Sequence, residues 1–301
     1  MSRKGWLLFC ALCLIWGIPY LLIRIAVREL PPATLVLART APVALLMLPF
    51  VVRRRGREAL GGRWRWVFAY SLAELAVPWF LLAHAEQRLS SSIAGLLVAT
   101  VPLLGALLYL LVGGAERLSR RRLAGLVLGF VGVAALVGFD STGGAGMLAV
   151  GEVLLVALGY ATGPLIISRR LADLPSLSVV AASLVITALL YAPLGFAERP
   201  PSVSGETIAA VATLALVCTA LAFVLFFALI VEVGPARATV ITYVNPLVAV
   251  LLGVAFLGEP LNVGIAIALP LILGGSVLGT SRHAADSAAR RTGTAAGGGE
   301  T

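Results

Sequence analysis

Ten long apolar runs, separated by breaks too short to hold a folded domain, constrain this chain more than any other feature. They are Gly5–Val27, Pro32–Val52, Trp64–Ala85, Ser91–Val112, Leu123–Phe139, Met147–Ser168, Leu177–Phe196, Thr207–Val231, Ala238–Leu257 and Leu261–Thr280. A membrane span needs roughly 20 apolar residues, about 30 Å at about 1.5 Å per residue. Only helices and closed barrels satisfy their backbone groups in lipid. These runs are too long and too continuous for barrel strands, so the sequence predicts an all-α integral membrane protein of ten transmembrane helices.

Composition removes the soluble alternative. Of the 301 residues, 60% are hydrophobic and only 12% are charged, about half the usual charged share. Mean hydropathy is +1.02. A formal net charge of +9 invites a nucleic-acid reading. That reading fails because the arginines cluster at the ends of apolar runs, where they set topology. Cys10, Cys13 and Cys218 all lie inside apolar runs without metal-ligand spacing, and read as small buried hydrophobes. Arg3 and Lys4 before the first run suggest a signal peptide. No small-residue cleavage site follows, so the run reads as an uncleaved first span.

The chain also contains one pattern twice. RLSSSIAGLLVATVPLLGALLYLLVGGAERLSRRRLAGLVLGFVGVAALVG, from Arg88, returns from Glu232 as EVGPARATVITYVNPLVAVLLGVAFLGEPLNVGIAIALPLILGGSVLGT. Pro102 falls on Pro246, Glu116 on Glu259 after a one-residue slip, and Leu30-Pro31 on Leu174-Pro175. The offset, about 144 residues, is that of a half-protein rather than a solenoid unit. Five spans per half is an odd number, so the halves enter the membrane in opposite orientations. The expected organisation is a first five-helix repeat over residues 1–139, an inverted second repeat over 144–280, and a disordered cytoplasmic tail over 281–301.

Charge fixes the expected orientation. With the N-terminus in the cytoplasm, 18 of the 23 Lys and Arg residues fall on the cytoplasmic side, four fall outside, and Arg39 lies within a span. The asymmetry places both termini inside an inner (plasma) membrane of bacterial type.

The chain at this point resembles a family, the EamA-type ten-helix members of the drug/metabolite transporter superfamily. The residues that carry the resemblance are Trp16-Gly17, Leu30-Pro31-Pro32 leading to Ala38-Arg39, and Ser91-Ser92 leading to Pro102. Gly114-Ala115-Glu116-Arg117-Leu118 follows, then Gly125, Gly129 and Gly132, then Asn245-Pro246 and Leu257-Gly258-Glu259-Pro260-Leu261. The resemblance spans residues 5 to about 280; it departs at Ala161-Thr162, where a second Trp-Gly often recurs. It implies secondary transport, with an amino acid as one substrate.

Ionisable groups inside spans are costly and therefore functional candidates. Arg39 in the second span and Glu74 near the middle of the third are expected at similar depth, as a substrate or proton site or as a mutually neutralising pair. Glu152, near the outer end of the sixth span, reads as an outer gate or as a group in interfacial water. His84 reads as interfacial. Glu116 and Glu259 are expected to cap the helices that follow them. Pro19, Pro78, Pro102, Pro164 and Pro246 each free a backbone carbonyl, so they are gate or kink candidates or static packing. Trp16, Tyr20, Trp79, Tyr160, Phe223, Phe227 and Tyr243 could line a pocket or pack. Asn245 is the best neutral polar ligand, because its amide must find a partner. Gly125, Gly129, Gly132, Gly264, Gly274 and Gly275 give small-residue faces for helix packing or a homodimer.

No catalytic motif, nucleotide-binding loop or metal-ligand set is present in the sequence, so no cofactor is expected. The expectation is a secondary active transporter that exports a small organic metabolite, amino-acid-like or drug-like, by alternating access. Its partners would be that small-molecule substrate and the lipid bilayer, with no nucleic acid. A passive channel or lipid scramblase of the same fold is the alternative.

Overall fold

A computed structural model describes residues 1–52, 60–111, 120–139, 143–234 and 238–280. Every described element is helical. Seven helices are long and apolar enough to cross a membrane: α1 (Arg3–Ala26), α2 (Pro32–Val52), α3 (Trp64–Ala85), α4 (Ser91–Leu108), α6 (Gly146–Leu171), α7 (Ser176–Ala197) and α8 (Gly205–Val233). Between and after them lie three further apolar helices, α5 (Arg120–Phe139), α9 (Ile241–Leu257) and α10 (Val263–Thr280). Glu116, residues 140–142, Arg237 and the tail from 281 lie outside the described residues.

The bundle is inside-out by the standards of a soluble protein. Leu45, Leu111, Val231 and Phe256 are each more than 70% exposed, and such side chains recur around the whole surface. An apolar surface this continuous needs hydrocarbon as its solvent. Small and polar residues go inward instead. Thr40, Ser71, Ser92, Thr100, Ser183, Thr187 and Thr219 have no exposed surface, and most return a hydrogen bond to a carbonyl one turn back or on a facing helix.

Two helix pairs form the seams. In the first, α2 lies along α7; Thr34 donates to the Gly195 carbonyl at 3.2 Å, and Ser178 to the Phe50 carbonyl at 3.2 Å. In the second, α5 lies along α10 through a glycine face, with Gly132 against Leu271 and Ile272. A Cβ added at Gly125 would strike the Gly279 backbone and the Gly275 carbonyl, and one at Gly275 would strike Gly129. The glycine faces therefore meet each other within one chain. Gly125→Ala must push two backbones apart, which costs about 1–3 kcal/mol. A lower Tm of the purified variant in detergent is the expected result.

Five of the described helices depart from regular α geometry, α6 only in a closing π turn at Ile167–Leu171. α1 turns tightly at Trp16–Ile18, where the amides of Gly17 and Ile18 both donate to the Leu14 carbonyl, at 3.0 and 3.1 Å. Gly17 has no side chain to block Val248 of α9, which fills the space a Cβ would take. Pro19 then opens the second half of α1. α4 breaks at Ala99-Thr100, just before Pro102. α3 continues through a π turn at Leu72–Ala76 and α8 through another at Leu216–Leu221, which begin 144 residues apart. Pro164 and Pro246 sit within unbroken helix, as do Pro42, Pro49, Pro193 and Pro270, which the sequence reading passed over.

Candidate functional site

Among the described residues, the interior of the bundle holds one buried cation. Arg39 of α2 is 7% exposed. Its Nε donates to the Thr219 hydroxyl of α8 at 3.0 Å. Its guanidinium carbon lies 3.7 Å from the centre of the Trp79 ring on α3, a contact worth about 2 kcal/mol or more once desolvated. Trp79 in turn is within hydrogen-bond reach of Tyr160 on α6. Tyr20 of α1, buried to 8% exposure, completes the ring of neighbours within electrostatic reach of Arg39. Five helices thus converge on one guanidinium.

The π turn in α8 is what aims Thr219. Its hydroxyl donates to the Leu214 carbonyl, five residues back, at 2.8 Å. With its proton so committed, the oxygen can only accept, and it accepts from Arg39. A π turn widens a helix locally and frequently marks a functional position. The matching turn in α3 carries Glu74.

The expected Arg39–Glu74 pair does not form. Among the described residues no ion pair joins them, and Arg39 has Thr219 and Trp79 instead. Glu74 turns toward α6, where its Oε2 lies over Gly163 and has no hydrogen-bond partner. Tyr160 is within electrostatic reach of both groups, and of Glu86. A π turn rotates the side chains that follow it, which alternating hydropathy cannot reveal.

The structure brings Arg39, Trp79 and Tyr160 together and gives other sequence candidates different work. Trp16 packs on Phe226 and Phe223 of α8, with ring centres 4.8 and 6.3 Å apart. Asn245, with its amide oriented to satisfy the network, donates to the Cys13 carbonyl at 3.2 Å and the Ile241 carbonyl at 2.9 Å. It ties α9 to α1. Tyr243 is half-buried on α9, Pro164 is exposed on the surface of α6, and Pro78 is buried just beyond the α3 π turn.

Charged side chains close the two ends of the bundle. At one end, His84 of α3 shares a hydrogen bond with Glu152 of α6 at 2.8 Å, and Arg88 lies 3.7 Å from the same carboxylate. Glu29 accepts the Ser204 amide at the start of α8 at 2.8 Å, and that backbone hydrogen bond holds its carboxyl below the usual carboxylate range. Arg24 donates to the Glu86 carbonyl. Glu259 corrects an expectation. It does not cap its own helix, where Asn262 takes the Ile265 amide at 2.8 Å. It reaches across to α4 and accepts the amides of Ser91 and Ser92, at 2.7 and 2.9 Å, and the Ser92 hydroxyl. At the opposite end Ser2 and Lys4 meet Glu232, and Arg63 meets Asp173 at 3.3 Å.

Sequence reasoning missed Thr219 and Glu86. Thr219 looks like one more small polar residue in an apolar run. Glu86 follows the end of α3 and looks like a loop residue, yet it has no exposed surface. The one available signal is Arg24, a cation at the matching end of α1.

An apolar surface enclosing a sparse polar interior defines a multi-pass membrane protein. The chain belongs to the EamA-like transporter family, whose model matches it twice, over residues 3–138 and 146–280. It is 33% identical over 262 residues to YedA, an uncharacterised inner membrane transporter of Escherichia coli K12, covering 84% of this chain and 82% of that one. It is 25% identical over 281 residues to a probable amino-acid metabolite efflux pump of Salmonella typhimurium, covering 87% and 90%. A protein of known crystal structure shares the fold with a TM-score of 0.64 at 24% identity, over 97% of this chain and 99% of that one.

Proposed function

We propose that this chain is a secondary transporter that exports a small organic metabolite bearing an anionic group, by alternating access of two inverted five-helix halves. One observation carries the reading. Arg39 is a buried guanidinium that, among the described residues, has no carboxylate partner, and it sits where helices of both halves meet. A buried cation without a counter-ion is expensive, and an anionic substrate would supply one. Tyr160 and Trp79 would give that substrate an aromatic wall.

Several features support the two-half arrangement. The family model matches each half separately, two of the three described π turns are separated by the repeat offset, and α2–α7 and α5–α10 are repeat-related pairs. The end contacts support the ten-span topology. Each joins segments that the arginine distribution puts on one side: Glu29, Glu86, Glu152 and Glu259 outside, Glu232 and Asp173 inside. Glu74, with an enclosed and unpartnered oxygen, is the candidate for proton coupling in mid-membrane. The Salmonella relative's printed name makes amino acids the first substrates to try.

The test is flux from proteoliposomes loaded with a radiolabelled mixture of the proteinogenic amino acids, under imposed pH and sodium gradients. Saturable efflux that responds to one gradient is the expected result. Flux that rises without saturation would indicate a channel, and flipping of a fluorescent phospholipid would indicate a scramblase; either result overturns the transporter reading.

A further inference from the structure

Glu86 is the most isolated acid among the described residues. It has no exposed surface, and neither carboxylate oxygen has a hydrogen-bond partner. The nearby cation does not neutralise it by contact, because Arg24 directs its guanidinium to the Glu86 backbone carbonyl. That carbonyl belongs to the last turn of α3, where the Glu86 amide still donates to Leu82 at 2.9 Å. The side chain is therefore shut away from solvent, with Tyr20 of α1 within electrostatic reach.

Its charged and titratable neighbours come from four directions. Arg24 and Tyr20 lie on α1, Arg39 on α2, Tyr160 on α6 and Glu259 beyond α9. Glu86 is thus within electrostatic reach both of the Arg39 cluster and of the carboxylate that ties α4 shut. It follows the α3 span, which ends at Ala85. Burial pushes its carboxyl well above the usual carboxylate range; Arg24 opposes this, and Glu259 adds to it.

We infer that Glu86 is a proton-binding site, filled while the Glu259 end of the bundle is closed and emptied when that end opens. The inference rests on the alternating-access reading and extends it to a second acid. On closing, a carboxylate oxygen takes a proton from hydronium, forming an O–H bond and leaving water. On opening, that bond breaks, the proton returns to water and the carboxylate is hydrated. A proton suits this enclosure because it needs no further ligands, whereas a metal ion needs several oxygens around it. The sign follows from linkage. A group that holds its proton more tightly in the closed form favours that form at low pH, and the advantage is lost as pH rises through its raised value.

The experiment places nitroxide labels at Gln87 and Ser202, both exposed at this end. The full chain is held in vesicles of phosphatidylethanolamine and phosphatidylglycerol. Spin–spin distances are recorded from about pH 5 to about pH 9, a range chosen to bracket a raised carboxyl. In the wild type the distance should lengthen as pH rises. In Glu86→Gln, an isostere of the protonated acid, it should stay at its low-pH value, and Glu86→Asp should restore a pH response with a displaced midpoint. A wild type whose distance ignores pH overturns the inference. So does a Glu86→Gln variant that responds as the wild type does, which would assign the response to the His84–Glu152 contact. Because no substrate is present, this result stands apart from the flux test.

Discussion

Arg39→Gln should reduce amino-acid efflux from proteoliposomes to background. If the guanidinium holds the anionic group of the substrate, its removal costs about 2–5 kcal/mol of binding, a fall in kcat/KM from roughly 30-fold to several thousand-fold. Arg39→Lys should fail to restore it, because a flat guanidinium lies on Trp79 while its Nε meets Thr219, and an ammonium cannot reproduce that fork. Stability should not follow. Removing a buried cation without a counter-charge leaves no orphaned carboxylate, and the relieved desolvation offsets the lost contacts with Thr219 and Trp79, so the Tm of Arg39→Gln should change little. Loss of transport with unchanged Tm would separate recognition from packing. Wild-type flux through a well-folded Arg39→Gln would reduce the cluster to a structural contact.

Glu259→Ala should destabilise the protein and open one end of it. The carboxylate satisfies two amides and a hydroxyl at the start of α4. Helix starts have donors that no residue within the helix can serve, and these donors are buried. Hydrogen bonds to a charged group are worth about 1.5–3 kcal/mol each, and water entering the gap would recover part of that. A fall in Tm is expected, together with a longer Gln87–Ser202 distance at every pH. Glu259→Gln keeps one accepting oxygen and should lie between the two. If the distance does not change, the contact anchors a helix but does not close the end.

The membrane character, the helix boundaries to within a few residues and the candidacy of Arg39, Trp79 and Tyr160 were legible in the sequence. Each depends on local properties: a run of apolar residues, or an ionisable group set inside one. Partners were not legible. Arg39 and Glu74 are neighbours by simple helical depth, but the π turn at Leu72–Ala76 rotates Glu74 toward Gly163 instead. Asn245 looked like a ligand because its amide needs acceptors, and it finds them at the Ile241 carbonyl of its own helix and at Cys13 of α1. Glu86 was invisible because it follows the end of α3, and only the tertiary packing removes it from solvent. In a lipid-dissolved protein the polar residues are few, so their identities are conspicuous while their pairings depend on the full packing.

The paired π turns bear on ancestry. A π turn holds one residue more than the α turn it replaces, and such turns usually arise by a single-residue insertion. Under the two-repeat arrangement proposed above, the turns in α3 and α8 begin at the same position of each repeat. The insertion is then older than the doubling, and the five-helix ancestor already carried the widened turn. Since the halves became one gene, each turn has been free to specialise, and they now present different chemistry: an acid at Glu74 in one, and a hydroxyl at Thr219 that receives the buried cation in the other.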